Sequence, residues 1–212
     1  MPSRTHRKFS SDNRPGIHIL RDRAVLRRLV QSASPGAGDI VVEFGAGTGV
    51  LTAALAQTGA RVIAVERSPA FVARLRRRFP PPGNVRVVQA DAREVILPRQ
   101  PYVVVANIPY SISTALLRRL LTPTASGLTA ADLIVEWGFA KRVTAAEPRD
   151  FEVAWWQLRY QIEIVRRIPR RSFTPEPSVD SAQLRIRRRR DLRAAELDRR
   201  RRELRAAYRR RR

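Results

Sequence analysis

Four short apolar runs in this sequence each end on residues that can hold a ligand. Glu43-Phe44-Gly45-Ala46-Gly47-Thr48-Gly49 closes the run that begins at Ile40. Glycines where a strand hands over to a helix let the backbone turn tightly and come close to a bound group. The spacing is G-x-G-x-G, whereas a nicotinamide-binding loop reads G-x-G-x-x-G. Glu66 ends the next run, where a carboxylate takes both hydroxyls of a ribose. Asp91 follows Val85–Val88 and is placed to accept from the amino group of an adenine; Asn107-Ile108-Pro109-Tyr110 follows Tyr102–Ala106. Alone, either acid reads as a solvated loop carboxylate. Polar groups after four successive strands, on one rim, predict a nucleoside-bearing cofactor.

Composition narrows the chemistry further. The chain has no cysteine, and its histidines are His6 and His18. Thiolate nucleophiles, disulfides and the usual zinc sites are excluded, and no metal centre is expected. Carboxylates, amides, backbone groups, aromatics and arginines remain. The formal net charge of +23 predicts a polyanionic partner, because phosphate backbones reward basic surfaces through counterion release. Arginine codon preference accounts for the scarcity of lysine (Lys8 and Lys141) but not for the shortage of acids.

The elements that must position these groups alternate in type. Asp22–Ala33 reads as an amphipathic helix broken by Pro35-Gly36. Strands follow at 40–44, 61–66, 85–88, 102–106 and 132–136, with helices at about 48–57, at 69–79 behind a Ser68 cap and Pro69, and after Pro109. Two last strands, near 162–168 and 182–187, show no helix signal between them and are expected to form a terminal antiparallel pair. This is an α/β pattern: a seven-stranded, mostly parallel sheet with helices on both faces. Residues 1–15 form a basic N-terminal arm, 16–187 the folded domain, and 188–212 an arginine-rich tail or helix with a weak apolar face from Leu192, Ala195, Leu204 and Tyr208. No run is long and apolar enough for a membrane span or a secretory signal, so a cytoplasmic, monomeric protein is expected.

Over roughly His18 to Arg187 the sequence resembles the ribosomal RNA adenine N6-methyltransferases, including the Erm macrolide-resistance enzymes. Its most specific elements are Glu43–Gly49, Asn107–Tyr110, and Arg171–Ser181, the last close to the family's F-x-P-x-P-x-V-x-S. Gly16–Asp22 is similar to the family's G-Q-[NH]-F-L-x-D; His18 matches, while Ile17 replaces Gln and Ile19 replaces Phe. The resemblance implies a Rossmann-like class I methyltransferase fold and S-adenosylmethionine as cofactor, held by His18, Leu20, Glu43, Gly45, Gly47, Gly49, Glu66, Arg67, Asp91, Ala92 and Asn107. It implies catalysis by Asn107 and the Ile108 carbonyl, which grip the hydrogens of an adenine amine, with Pro109 stiffening the loop. Tyr110 and Phe173 would be the two stacking faces for the extruded base.

Relatives typically carry a small helical C-terminal domain, in place of which this chain shows only the arginine-rich tail. Ile108 and Val179-Asp180-Ser181 favour an Erm-like enzyme acting on a 23S rRNA adenine in the peptidyl-transferase region, with resistance to macrolide-type antibiotics as the outcome. The alternatives are a 16S rRNA adenine dimethylase of small-subunit assembly, a DNA adenine methyltransferase (disfavoured by Ile108), and a non-catalytic RNA-binding relative.

Overall fold

Short β-branched runs and amphipathic helices build the chain into one layered sheet. The computed structural model describes residues 18–189 and 194–210. In chain order the elements are β1 (Ile19–Leu20), α1 (Arg23–Ala33), β2 (Ile40–Phe44), α2 (Val50–Ala56), β3 (Arg61–Glu66), α3 (Pro69–Arg78), β4 (Val85–Gln89), β5 (Tyr102–Asn107), α4 (Ser113–Leu121), β6 (Leu128–Glu136), α5 (Trp137–Val143), α6 (Phe151–Arg159), β7 (Tyr160–Ile168), β8 (Phe173–Thr174), β9 (Ser181–Arg188) and α7 (Ala194–Arg209).

The seven-stranded sheet runs β4-β3-β2-β5-β6-β9-β7. Pairing is parallel from β4 through β6, and β9 lies antiparallel between β6 and β7. The mostly parallel sheet with a terminal antiparallel pair is thus as expected. From β2 the chain moves outward through β3 to β4 and returns to β5 on the other side of β2, so the switch in strand order lies between β2 and β5. Ligands of such sheets bind at that crevice, beyond the carboxyl ends of the strands.

Both faces are covered. Val42, Phe44, Val104, Leu133 and Leu184 pack beneath α4, α5 and α6, whereas Val41, Val62, Val105 and Ile134 pack beneath Leu26 and Leu29 of α1 and Leu51 and Leu55 of α2. α1 begins at Asp22, whose carboxylate accepts from the Ala24 and Val25 amides, and ends at Ser34 in the left-handed region. Ser68 precedes α3 without a side-chain cap bond; its amide instead donates to Glu66 Oε1 at 2.8 Å.

Five further elements differ from expectation. α5 and α6 lie between the strands expected at 132–136 and 162–168, where no element was assigned, and β6 starts at Leu128. β1 and β8 form a separate antiparallel pair, Ile19 opposite Thr174 and Leu20 opposite Phe173. α6 is rich in aromatics and short, which masks its period; its buried Trp155 and Trp156 donate their indole N–H groups to the Thr122 carbonyl at 3.2 Å and hydroxyl at 3.0 Å. α7 packs on the core through Leu197 and Leu204; the Tyr208 ring meets Phe151 of α6 edge-on at 6.5 Å, and its hydroxyl donates to the carbonyl of Pro148, ahead of α6, at 2.6 Å. The N-terminal arm and Leu192 lie outside the described residues.

Candidate active site

The glycine loop after β2 and the Asn107–Tyr110 loop after β5 meet at the switch point, around a cavity of about 230 Å³. His18, Leu20, Glu43, Gly45 and Gly47 line one side; Glu66, Arg67, Asp91 and Ala92 line another; Asn107, Ile108, Pro109 and Tyr110 form the mouth. Gly45 and Gly47 hold φ of +73° and +51°, which a side-chain-bearing residue adopts only with strain.

Glu66 organises that loop. Its Oε2 accepts from the Gly47 amide at 2.9 Å and its Oε1 from the Ser68 amide at 2.8 Å. A carboxylate has about four acceptor positions, so two backbone bonds orient Glu66 and still leave capacity for a pair of hydroxyls. Asp91 is more heavily engaged. Oδ1 accepts from the backbone and Nε of Arg93 at 2.8 and 2.9 Å, and Oδ2 from its Nη2 at 2.7 Å. The Arg93 side chain, then its backbone amide, hold the Asp91 carboxyl down at about 2, so it stays an ionised acceptor. Sequence reasoning missed Arg93, although its place two residues after Asp91 is that of a local carboxylate clamp.

Glu43 lies on the cavity floor, 2% exposed, with the Thr52 hydroxyl donating to Oε2 at 2.6 Å. Burial pushes its carboxyl up to about 8, with the bond from Thr52 opposing and Glu66 adding to the rise. Glu43 therefore carries a proton through most of the neutral range.

At the mouth, Asn107 Nδ2 donates to the His18 carbonyl at 2.8 Å. That bond fixes which end of the amide faces which way, and no described residue donates to Oδ1. His18 is held in turn by a 2.8 Å contact between its Nδ1 and the Pro175 carbonyl, and its ring lies 5.4 Å from that of Tyr110. The Ile108 amide donates to the Ile134 carbonyl at 3.0 Å, pinning the loop to β6. The Tyr110 hydroxyl shares a 2.6 Å bond with Ser181 Oγ. Burial raises its pKa against that bond, so the phenol is neutral and offers a ring face and no charge. Glycine backbone, ribose-ready Glu66 and apolar walls from Leu51, Phe71 and Ile112 fit a nucleoside-bearing cofactor.

Residues 8–210 match the model of the ribosomal RNA adenine dimethylase family. The chain belongs to this family. It is 37% identical over 181 residues to an rRNA adenine N-6-methyltransferase of Bacillus licheniformis, covering 85% of this chain and 63% of that one. It is also 37% identical over 175 residues to the mycinamicin-resistance protein MyrB of Micromonospora griseorubida, covering 82% of this chain and 55% of that one. Among solved structures, the 23S rRNA methyltransferase ErmE superposes with a TM-score of 0.79 at 31% identity, covering 88% of this chain and 77% of that one. The chain thus spans less than two thirds of the length of these two sequence relatives.

Two residues expected at this family site stand elsewhere. Phe173, the expected second stacking face, is 3% exposed and packs with Leu20, Leu26 and Ile168; it does not line the cavity. Its pairing opposite Leu20 turns its ring into the core beneath α1. Gly49 does not line the cavity either. It precedes α2 at φ +77°, and a Cβ there would lie 2.7 Å from Leu75 Cδ2, so close packing of α3 is what requires glycine.

Proposed function

We propose that this protein transfers a methyl group from S-adenosylmethionine to the exocyclic N6 amine of an adenine in 23S rRNA, in the peptidyl-transferase region, and so confers macrolide-lincosamide-streptogramin resistance. The observation that carries this function is the Asn107 amide, whose nitrogen is committed to the His18 carbonyl while its oxygen is left to accept at the cavity mouth. An adenine amine is a poor nucleophile because its lone pair is delocalised into the ring. Asn107 Oδ1 and the Ile108 carbonyl, gripping its two hydrogens, turn that pair out of conjugation and stabilise the charge that develops on nitrogen. When bound, S-adenosylmethionine supplies an electrophilic methyl. Glu66 would hold the ribose hydroxyls and Gly45 and Gly47 the chain beside it. The amine nitrogen would gain the methyl as the sulfonium carbon–sulfur bond breaks, leaving the neutral thioether S-adenosylhomocysteine, and would release one proton to solvent, so no general base is required. Tyr110 supplies the ring on which the extruded base stacks.

The names borne by ErmE and MyrB support the 23S target and the resistance outcome. The test is methyl transfer from labelled S-adenosylmethionine to deproteinised 23S and 16S rRNA, with the modified nucleoside identified by mass spectrometry. N6-methylated adenine confined to 23S rRNA is expected. Label confined to 16S rRNA would reassign the enzyme to small-subunit assembly, and no label in either would overturn the catalytic function.

A further inference from the structure

Most of the described arginines are exposed or paired, but the Arg166 side chain is neither. Strict alternation along β7 would carry Arg166 to the face occupied by Ile162 and Ile164, which lie opposite Ile186 and Leu184. A bulge at Val165 changes the register, so that Arg166 sits opposite Gln183 and points to the α1 side of the sheet. There it joins Arg185, opposite Glu163, and Arg28 of α1.

The neighbouring charges are largely committed to one another. Asp132, 1% exposed on β6, accepts from Arg187 Nη2 at 2.6 Å, from Gln183 Nε2 at 3.1 Å and from the Ser32 hydroxyl at 2.5 Å. Arg185 donates to Glu163 at 3.1 Å and to Ser32 at 2.8 Å. The Arg166 side chain makes no hydrogen bond or ion pair with any described residue, and its buried Nε, like that of Arg185, has no acceptor. Burial, then Arg28 and Arg185, lower its pKa, with only Asp132 opposing. Four guanidinium groups thus face two carboxylates on a half-buried sheet surface, and among the described residues no helix beyond α1 covers it.

A half-buried guanidinium held among like charges is costly unless an anion completes it. We propose that Arg166, Arg28 and Arg185 form a binding site for one backbone phosphate of the RNA substrate, on the sheet face beneath the catalytic rim and separate from the cofactor cavity. The inference rests on the rRNA substrate proposed above. The placement suits it, because β7 runs toward the rim that carries Asn107 and Arg166 lies two residues from its end. Arg23 and Arg27, on the same helix as Arg28, are exposed and extend the basic surface toward the start of α1. Guanidinium groups suit phosphate by their paired N–H geometry.

The test compares Arg166→Gln and Arg28→Gln with Arg76→Gln, which removes the same charge from the exposed side of α3 near the opposite edge of the sheet. Filter binding to a transcript of the peptidyl-transferase region of 23S rRNA, from low to high salt, gives affinity and salt slope; melting of the RNA-free protein monitors folding. Loss of one phosphate contact is expected to weaken binding about 3- to 10-fold for Arg166→Gln and Arg28→Gln and to reduce the salt slope by about 1, with Arg76→Gln close to wild type. The RNA-free Arg166→Gln protein is expected to melt at or above the wild-type temperature. Equal affinities and slopes for all three variants would overturn the site, as would equal weakening by all three or a wild type that does not bind the transcript. A selective loss at Arg166 and Arg28 in a protein that transfers no methyl group would sustain the phosphate site and overturn the catalytic function alone.

Discussion

At the residue scale, the site depends on one amide and one protonated acid. Asn107→Ala removes the free acceptor at the cavity mouth together with the bond to His18. Turnover on rRNA is expected to fall by about 10²–10³, a typical cost for losing one preorganised polar group, while cofactor affinity by calorimetry changes only a few-fold. Parallel losses in both would assign Asn107 to cofactor binding instead. Glu43 makes a separate prediction. Its folded pKa of about 8 lies above the ordinary 4.5, so the folded state favours the protonated form. That contribution is complete below the unfolded value, declines as pH rises, and is gone above about 8. The wild-type melting temperature is expected to drop between pH 5 and pH 9 relative to Glu43→Gln, which has no such proton to lose; superimposable profiles would contradict a neutral Glu43.

At the element scale, sequence pattern located the parts that obey a simple period and missed those shaped by distant contacts. β2 and β3 match their expected bounds because β-branched runs between turn residues admit few alternatives. α5 and α6 went unread because each is short and aromatic-rich, and tertiary packing of residues such as Phe139, Trp155 and Trp156 stabilises them more than intrinsic helix propensity. The site was legible wherever a motif follows a strand directly, as with Glu66 and Asn107. Phe173 lies in the core and off the cavity lining, a placement set by Leu20, far away in sequence. Gly49 sits under α3 and off the cavity lining; a glycine in a ligand loop and one under a neighbouring helix look alike in sequence. Gly49→Ala is accordingly expected to destabilise the fold by about 1–3 kcal/mol, from left-handed strain and overpacking, measured by urea unfolding. Cofactor affinity under native conditions should be retained; selective loss of cofactor binding at unchanged stability would return Gly49 to the ligand loop.

At the scale of the whole molecule, charge dominates. With a net charge of +23 and arginines exposed on α1, α3 and α7, association with rRNA is expected to weaken steeply with salt, by about 10³–10⁵ between 50 and 200 mM if some 6–10 phosphates are neutralised. A nearly flat salt dependence in filter binding would exclude backbone neutralisation as the main source of affinity. The β1–β8 pair acts over a comparable range. It lets the His18 carbonyl hold Asn107 while the His18 ring is itself held by Pro175, 157 positions along the chain. During translation, β1 emerges before β8 and stays without its partner until Phe173 and Thr174 have been made. The support for Asn107 is therefore completed only once β8 has been made, and a growing chain has its cofactor loop long before the tether that orients its reactive amide. A protein proposed to modify ribosomes thus acquires a finished pocket only after a ribosome has made both partners of the β1–β8 pair.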